Sequence, residues 1–214
     1  MSALIPLIQS VFILLQCKPN KLDTDPQSLT RRRQLYYILG DIITQLYGSN
    51  VDSDPNLSIP TLLERTLSLE QRLSAWRRNL FPQLQRRPWD TLDPDSVWAS
   101  AWDPVFDRLS VIITLRYLNT RILLHRPMLS AFLRKRACYR SLGVQSDEED
   151  PYFQDLAEKS LKICAQSAME IVQIVHKTSA PPTLLGAWWF STYYSKMCCL
   201  LLVLVRHYIP NPPL

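Results

Sequence analysis

Apolar residues recur at the spacing of an α-helix along most of this chain. The clearest run begins at Thr61, which we predict as the N-cap of a helix, and its apolar positions advance by three or four residues at a time. This spacing places them on one face of a helix. The members of the run are Leu62, Thr66, Leu69, Leu73, Trp76 and Leu80. So short a run indicates packing inside a bundle, because a dimerising coiled coil needs more heptads.

Further segments have the same spacing, and loops rich in proline, glycine, asparagine and aspartate separate them. Ser28 or Thr30 can cap a helix that runs to about Tyr47. Asp103-Pro104 and Asp150-Pro151 each combine an N-cap residue with proline at the first helical position. The helices predicted in this way are 3–16, 28–47, 61–81, 104–126, 151–179 and 184–207.

The helix that begins at Pro104 has an unusually wide apolar surface, which implies contact with more than one neighbouring helix. One face contains Phe106, Leu109, Ile113, Tyr117, Thr120 and Leu124, and Val111, Leu115, Leu118 and Ile122 widen it. Pro127 removes a backbone donor and disfavours helical geometry at Arg126, so we expect the helix to end or kink there. His125 and Arg126 would then lie in a last turn, where cationic side chains favour the negative end of the helix dipole.

Composition agrees with an all-α fold, a multi-helix bundle-like domain that occupies residues 1–214. Hydrophobic residues make up 47% of the chain, enough for a real core, while only 4 glycines and as many as 16 prolines disfavour hairpins and phosphate-binding loops. We find no segment with strand periodicity and no internal repeat.

Charge and cysteine content argue against a nucleic-acid-binding patch, a disulfide-bonded protein and a metal site. The net charge is +5, but the basic residues occur in small scattered groups rather than in one patch, which is typical of solvated helix faces. Five cysteines at irregular spacing, without a CxxC motif, indicate buried thiols in a reducing compartment and no metal site.

A membrane span is a less favoured interpretation of residues 183–205. The segment is long enough to cross a bilayer. Lys196 lies inside it, however, and a central charge opposes insertion by about 3 kcal/mol. A buried helix is therefore favoured, and we expect no contact with a membrane. The apolar segment 1–17 lacks the basic start and cleavage site of a signal peptide and is predicted as a core helix.

No catalytic site can be predicted from the pattern. His125 would need a nearby nucleophile or carboxylate to act as a base, and no spacing in the sequence offers one. Asp147 to Asp150 are contiguous and lie in a loop, so they do not form the helical metal motif of a terpene-cyclase-like enzyme. We therefore expect no enzyme activity, no catalytic residue and no cofactor or metal bound by this chain.

Three segments together resemble the fungal-specific transcription factor domain, the regulatory middle region of fungal zinc-cluster transcription factors. They are "RLSAWRRNLFPQL", "RYLNTRILLHRPML" and "CAQSAMEIVQIV" followed by "AWWFSTYYSKMCCLLLVLV". The Leu-His-Arg-Pro run is the most specific mark, and the resemblance covers about residues 57–205. The residues that carry the family pattern are Trp76, Leu124, His125, Arg126, Pro127, Trp188, Tyr193 and Tyr194.

The resemblance implies a nuclear, all-α regulatory domain that controls transcription through partner contacts and autoinhibition. It implies homodimers, contacts with co-regulators or the transcription machinery, and a response to a small-molecule inducer. Zinc and DNA would bind only through a six-cysteine cluster that this chain lacks, so the chain looks like a fragment or a family member without that part. The alternatives are a free-standing helical module that senses a small molecule or binds a protein and, less favoured, a membrane protein.

Overall fold

The computed structural model describes residues 26–48, 58–85, 104–142, 151–179 and 198–199, and the described residues form helices with no strand. The helices are α1 (Pro26–Tyr47), α2 (Ile59–Arg78), α3 (Pro82–Gln85), α4 (Pro104–Leu142) and α5 (Pro151–Ser179). Cys198 and Cys199 are also helical. The prediction of an all-α, bundle-like fold is therefore confirmed. The predicted helix 3–16 and most of the predicted helix 184–207 lie outside the described residues.

Local chemistry sets the ends of the first two helices. α1 ends at Tyr47 and is followed by Gly48, whose φ of 71° is the left-handed conformation that glycine adopts readily after a helix. α2 begins earlier than predicted, because Ser58 and not Thr61 is its N-cap. The Ser58 hydroxyl accepts a hydrogen bond from the Thr61 amide. Pro60 fits inside the first turn, where a missing N–H costs nothing.

The predicted apolar stripe is buried, with five members in α2 and the sixth, Leu80, two residues after the helix ends. Every member from Leu62 to Leu80 is at most 5% exposed. These side chains pack against α1, α3 and α4 in a first core cluster, and each large aliphatic member contributes about 1.5–3 kcal/mol by its burial.

α4 is the central helix of the described structure. It packs against α1, α2, α3 and α5, so the prediction of several neighbours for its wide apolar surface is confirmed. Ile113 and Leu124 belong to the first core cluster. The opposite face belongs to a second cluster that it forms with α5 and Cys198, and the members from α4 are Val111, Leu115, Leu118, Ile122 and Leu129.

α4 continues through Pro127 to Leu142, so the helix does not end at Arg126, while the alternative prediction of a kink there stays a prediction. Proline inside a helix leaves the carbonyl four residues earlier without its N–H partner, here that of Leu123. The Tyr47 hydroxyl donates a hydrogen bond of 2.8 Å to this same carbonyl. Burial raises the pKa of Tyr47 well above its usual value, which keeps the phenol protonated as a donor. A side chain from α1 thus replaces the backbone bond that Pro127 removes.

Candidate functional site

The Leu-His-Arg-Pro run lies in the middle of α4 and not at its end. Leu124 is completely buried in the first core cluster. Arg126 and Pro127 are half-buried. His125 is 5% exposed and lies well inside the helix, so its expected position in the last turn is wrong.

His125 lies between side chains from two other helices. Its Nδ1 is 3.3 Å from the Ser160 hydroxyl of α5, and its Nε2 is 3.3 Å from Glu70 Oε2 of α2. A neutral imidazole with its proton on Nε2 would donate to the carboxylate and accept from the hydroxyl, so one tautomer satisfies all three groups. The sequence spacing offered His125 no such partner, and the fold brings a hydroxyl and a carboxylate to it from distant positions in the chain.

The order hydroxyl, imidazole, carboxylate matches that of a hydrolytic triad, but its surroundings favour a structural role. Ser160 is only 4% exposed. It lies in the interior of α5, where the neighbouring backbone N–H groups are bonded within the helix and cannot stabilise an oxyanion. Three well-partnered polar groups instead connect α2, α4 and α5 through one imidazole. Buried networks of this kind fix how helices pack when every member has a partner.

Arg121 extends this network towards the surface. Its Nε lies 3.7 Å from Glu70 Oε1, too far for a hydrogen bond, and both side chains are about a quarter exposed. An ion pair of this geometry contributes little to stability. Glu70 is thus held mainly by His125, and Arg121 supplies a nearby positive charge.

Trp76 connects the end of α2 to α1 and α4. Its indole N–H donates a 2.9 Å hydrogen bond to the Arg31 carbonyl. Its ring stacks on Tyr117 at a centroid distance of 6.2 Å, and Arg77 lies 5.1 Å from the centroid of the same Tyr117 ring. Burial raises the pKa of Tyr117, so this phenol stays neutral in the stack. Trp76 is therefore a core residue with a satisfied polar atom.

Arg116, a second buried polar residue of α4, has quite different surroundings from His125. Arg116 is 3% exposed, and among the described residues none of its three side-chain nitrogens has a hydrogen-bond partner. Its guanidinium carbon lies 5.6 Å from the centroid of the Tyr36 ring on α1. Asn119 and Thr120, three and four residues further along α4, are buried as well. One stretch of the central helix therefore gathers three buried polar side chains inside the core.

The other predicted site residues lie outside the described part of the chain. They are Trp188, Tyr193 and Tyr194, and their place in the family pattern stays a prediction. The structure brings Leu124 and Trp76 into one core cluster and places His125 against α2 and α5.

Metal and membrane sites can be examined only in the described residues. No three His, Cys, Asp or Glu side chains there lie close enough together to hold a metal ion. Zinc thus stays an expectation for a separate DNA-binding module. No described helix is both long and apolar enough to cross a bilayer. The segment 183–205 lies outside the described residues except for Cys198 and Cys199.

Sequence reasoning missed Glu70, Ser160 and Arg116, although the pattern held a signal for two of them. Ser160 lies four residues after Leu156 and four before Cys164, within the apolar stripe of α5. Arg116 lies three residues after Ile113 and four before Thr120, within the stripe of α4. A polar residue inside an apolar stripe is expected to be buried, so it needs a partner.

Comparison with known proteins relates the chain to fungal transcription factors. It is 29% identical over 173 residues, 79% of its length, to Transcription factor FBD3 of Gibberella moniliformis (strain M3125 / FGSC 7600). It is 31% identical over 160 residues, 72% of its length, to Transcription factor FBD3 of Fusarium pseudograminearum (strain CS3096). The matches cover 22% and 20% of those proteins, so the chain spans about a fifth of the length of these curated relatives.

No family model matches the chain, and no solved structure matches at a significant level. The similarity therefore supports a relation to fungal transcription factors. The more specific assignment to the fungal-specific transcription factor domain stays a prediction.

Proposed function

We propose that this chain is the helical regulatory domain of a fungal transcription factor. The observation that carries the proposal is its similarity, over 72–79% of its length, to two proteins named as transcription factors. In this proposal the domain works in the nucleus and controls transcription through partner contacts and autoinhibition. DNA binding would be supplied by a zinc cluster on another module.

The packing of the domain supports a role in transmitting structural changes from one helix to another. α4 touches the four other helices that the structure names, and hydrogen bonds at the Leu123 carbonyl and the His125 ring connect it to α1, α2 and α5. In this proposal a change at one helix reaches the others through these contacts. The partners we propose are a second copy of the domain, co-regulators or the transcription machinery, and a small-molecule inducer.

A tethering experiment tests this function. The chain is fused to an unrelated DNA-binding module and expressed in a filamentous fungus that carries a reporter gene with the matching binding site. We expect reporter expression to differ at least severalfold from that given by the DNA-binding module alone. The sign of the difference would tell activation from repression.

Two variants make this test specific to the folded domain. Leu124→Asp places a charge in the core and should abolish the effect of the fusion, whereas Leu67→Asp, at a side chain that is 49% exposed, should preserve it. A fusion that expresses and folds but leaves the reporter at the level of the DNA-binding module alone would refute the proposed function.

A further inference from the structure

The buried position of Arg116 costs free energy. A guanidinium carries a permanent charge and five N–H donors, and removing it from water costs several kcal/mol unless acceptors meet it. In the described residues the guanidinium meets the face of Tyr36 and no hydrogen-bond acceptor. A cation–π contact offsets only about 1–2 kcal/mol of that cost. The core thus contains a positive charge without an acceptor among the described residues, and an anion would supply one.

Two neighbouring side chains can donate hydrogen bonds to the same anion. Asn119 and Thr120 are three and four residues from Arg116 and so lie on the same side of α4. They are 4% and 2% exposed. An amide N–H and a hydroxyl are donors that can bond to the oxygens of an anion, beside the two-pronged guanidinium that suits carboxylate and phosphate groups.

We propose that Arg116, Asn119 and Thr120 form a binding site for a small molecule that carries a carboxylate or a phosphate group. Arg116 binds the anionic group, Asn119 and Thr120 hydrogen-bond its remaining oxygens, and Tyr36 packs against it. The guanidinium has no contact with solvent, so the ligand enters when the packing of α1 on α4 loosens around Tyr36. Occupation of the site therefore changes how α1 packs. The site deepens the proposed function, on which its link to an inducer rests, by naming the chemistry of the small molecule, and its binding can be measured apart from transcription.

Anion titration of the complete 214-residue chain tests the site. The melting temperature is followed by circular dichroism while sodium benzoate or sodium phosphate replaces sodium chloride at constant ionic strength. We expect at least one of the two anions to raise the melting temperature saturably, by about 5 °C at a hundred times its Kd. Benzoate represents the carboxylate class and phosphate the phosphate class, so the active anion also identifies the ligand chemistry.

Arg116→Met separates this site from a general salt effect. Methionine keeps much of the length and removes the charge, so the variant should melt at a higher temperature than the wild type without anion and should not respond to either anion. Arg121→Met is the matched control on the same helix and should respond like the wild type. Arg116→Lys keeps the charge without the two-pronged geometry, and its Kd should be at least about tenfold weaker.

Three results would overturn the proposal. The first is a wild-type melting temperature that neither anion changes. The second is an Arg116→Met variant that melts lower than the wild type, since that result would mean that Arg116 already has a structural partner. The third is a dimer in sedimentation that Arg116→Met converts to a monomer, which would assign the acceptor to a second copy of the chain. None of these results depends on the reporter, so the site and the transcriptional role fail separately.

Discussion

His125 and Arg116 lie about two and a half turns apart on the same helix, and both are buried, yet their surroundings differ completely. His125 has a partner on each ring nitrogen, one from α2 and one from α5. Arg116 contacts the Tyr36 ring and has no hydrogen-bond partner among the described residues. A satisfied buried polar group fixes the packing of its neighbours, whereas an unsatisfied one lowers the stability of the state that buries it.

The comparison shows two regions of α4 that are packed differently. Around His125 the helix is locked to α2 and α5 by polar contacts. Around Arg116 the helix packs on α1, and the guanidinium there has no hydrogen-bond acceptor among the described residues. We therefore expect the α1–α4 boundary to open more easily than the boundary of α4 with α2 and α5, which is the property that a ligand-responsive domain needs.

The largest expected effect is at Leu124, next to His125. Leu124→Asp would place a carboxylate at a side chain that is 0% exposed, within the first core cluster. We expect a loss of about 4 kcal/mol or more of unfolding free energy, enough to unfold or aggregate the domain. Circular dichroism melts measure it. Leu67→Asp, at an exposed apolar position, should change stability by less than about 0.5 kcal/mol. An unchanged melt for Leu124→Asp would contradict the packing of α4 described above.

A smaller loss is expected when the imidazole is removed. His125→Ala leaves Ser160 and Glu70 without their common partner and should cost about 2–3 kcal/mol, measured by urea denaturation. Gln71→Ala, at the exposed position beside Glu70, is the matched control and should be nearly neutral.

A double-mutant cycle decides whether the network acts as a unit. His125→Ala and Ser160→Ala should together cost about 1 kcal/mol less than the sum of the two single variants. Additive costs would mean that the two side chains do not interact. His125 would then lack the partner that distinguishes it from Arg116.

The third effect concerns the carbonyl that Pro127 leaves without a helical partner. Tyr47→Phe removes the hydroxyl that bonds to Leu123 and should cost about 1 kcal/mol of unfolding free energy. Tyr37→Phe is the control, because Tyr37 is 72% exposed. In a Pro127→Ala background the backbone N–H returns, so Tyr47→Phe should then cost much less. An equal cost in both backgrounds would show that the hydroxyl does not replace the missing backbone bond.

The helices could be predicted from the sequence because their signals are local. The stripe from Leu62 to Leu80 needs only the helical period, and its complete burial confirms that prediction. The helix ends predicted at Thr61 and Arg126 differ from the structure, and a proline lies next to each of them. Pro60 is tolerated by its place in a first turn, which is a local effect. Pro127 is tolerated through Tyr47, which lies 76 residues from Leu123 in sequence.

The partners of the buried polar residues could not be predicted, because packing and not spacing brings them together. Ser160 and Glu70 lie 35 and 55 residues from His125 in the chain. No local pattern encodes that distance, and the role given to His125 as a residue at a helix end was therefore wrong. The position of Arg116 within an apolar stripe was visible in the sequence, but only the structure shows that its charge meets no acceptor among the described residues.

The last prediction concerns chemistry and has the smallest effect on stability. Cys164 follows Ser160 by one turn of α5, is fully buried, and has a pKa raised by burial to about 12. Cys138 is exposed. In the folded protein iodoacetamide should therefore alkylate Cys138 and leave Cys164 unmodified, and peptide mass spectrometry resolves the two. At pH 9 Cys164 is still a neutral thiol, so we expect it to stay unmodified there as it does at pH 7. Alkylation of both at equal rates would show that α5 separates from α4, and the boundary that holds His125 would then be the loose one.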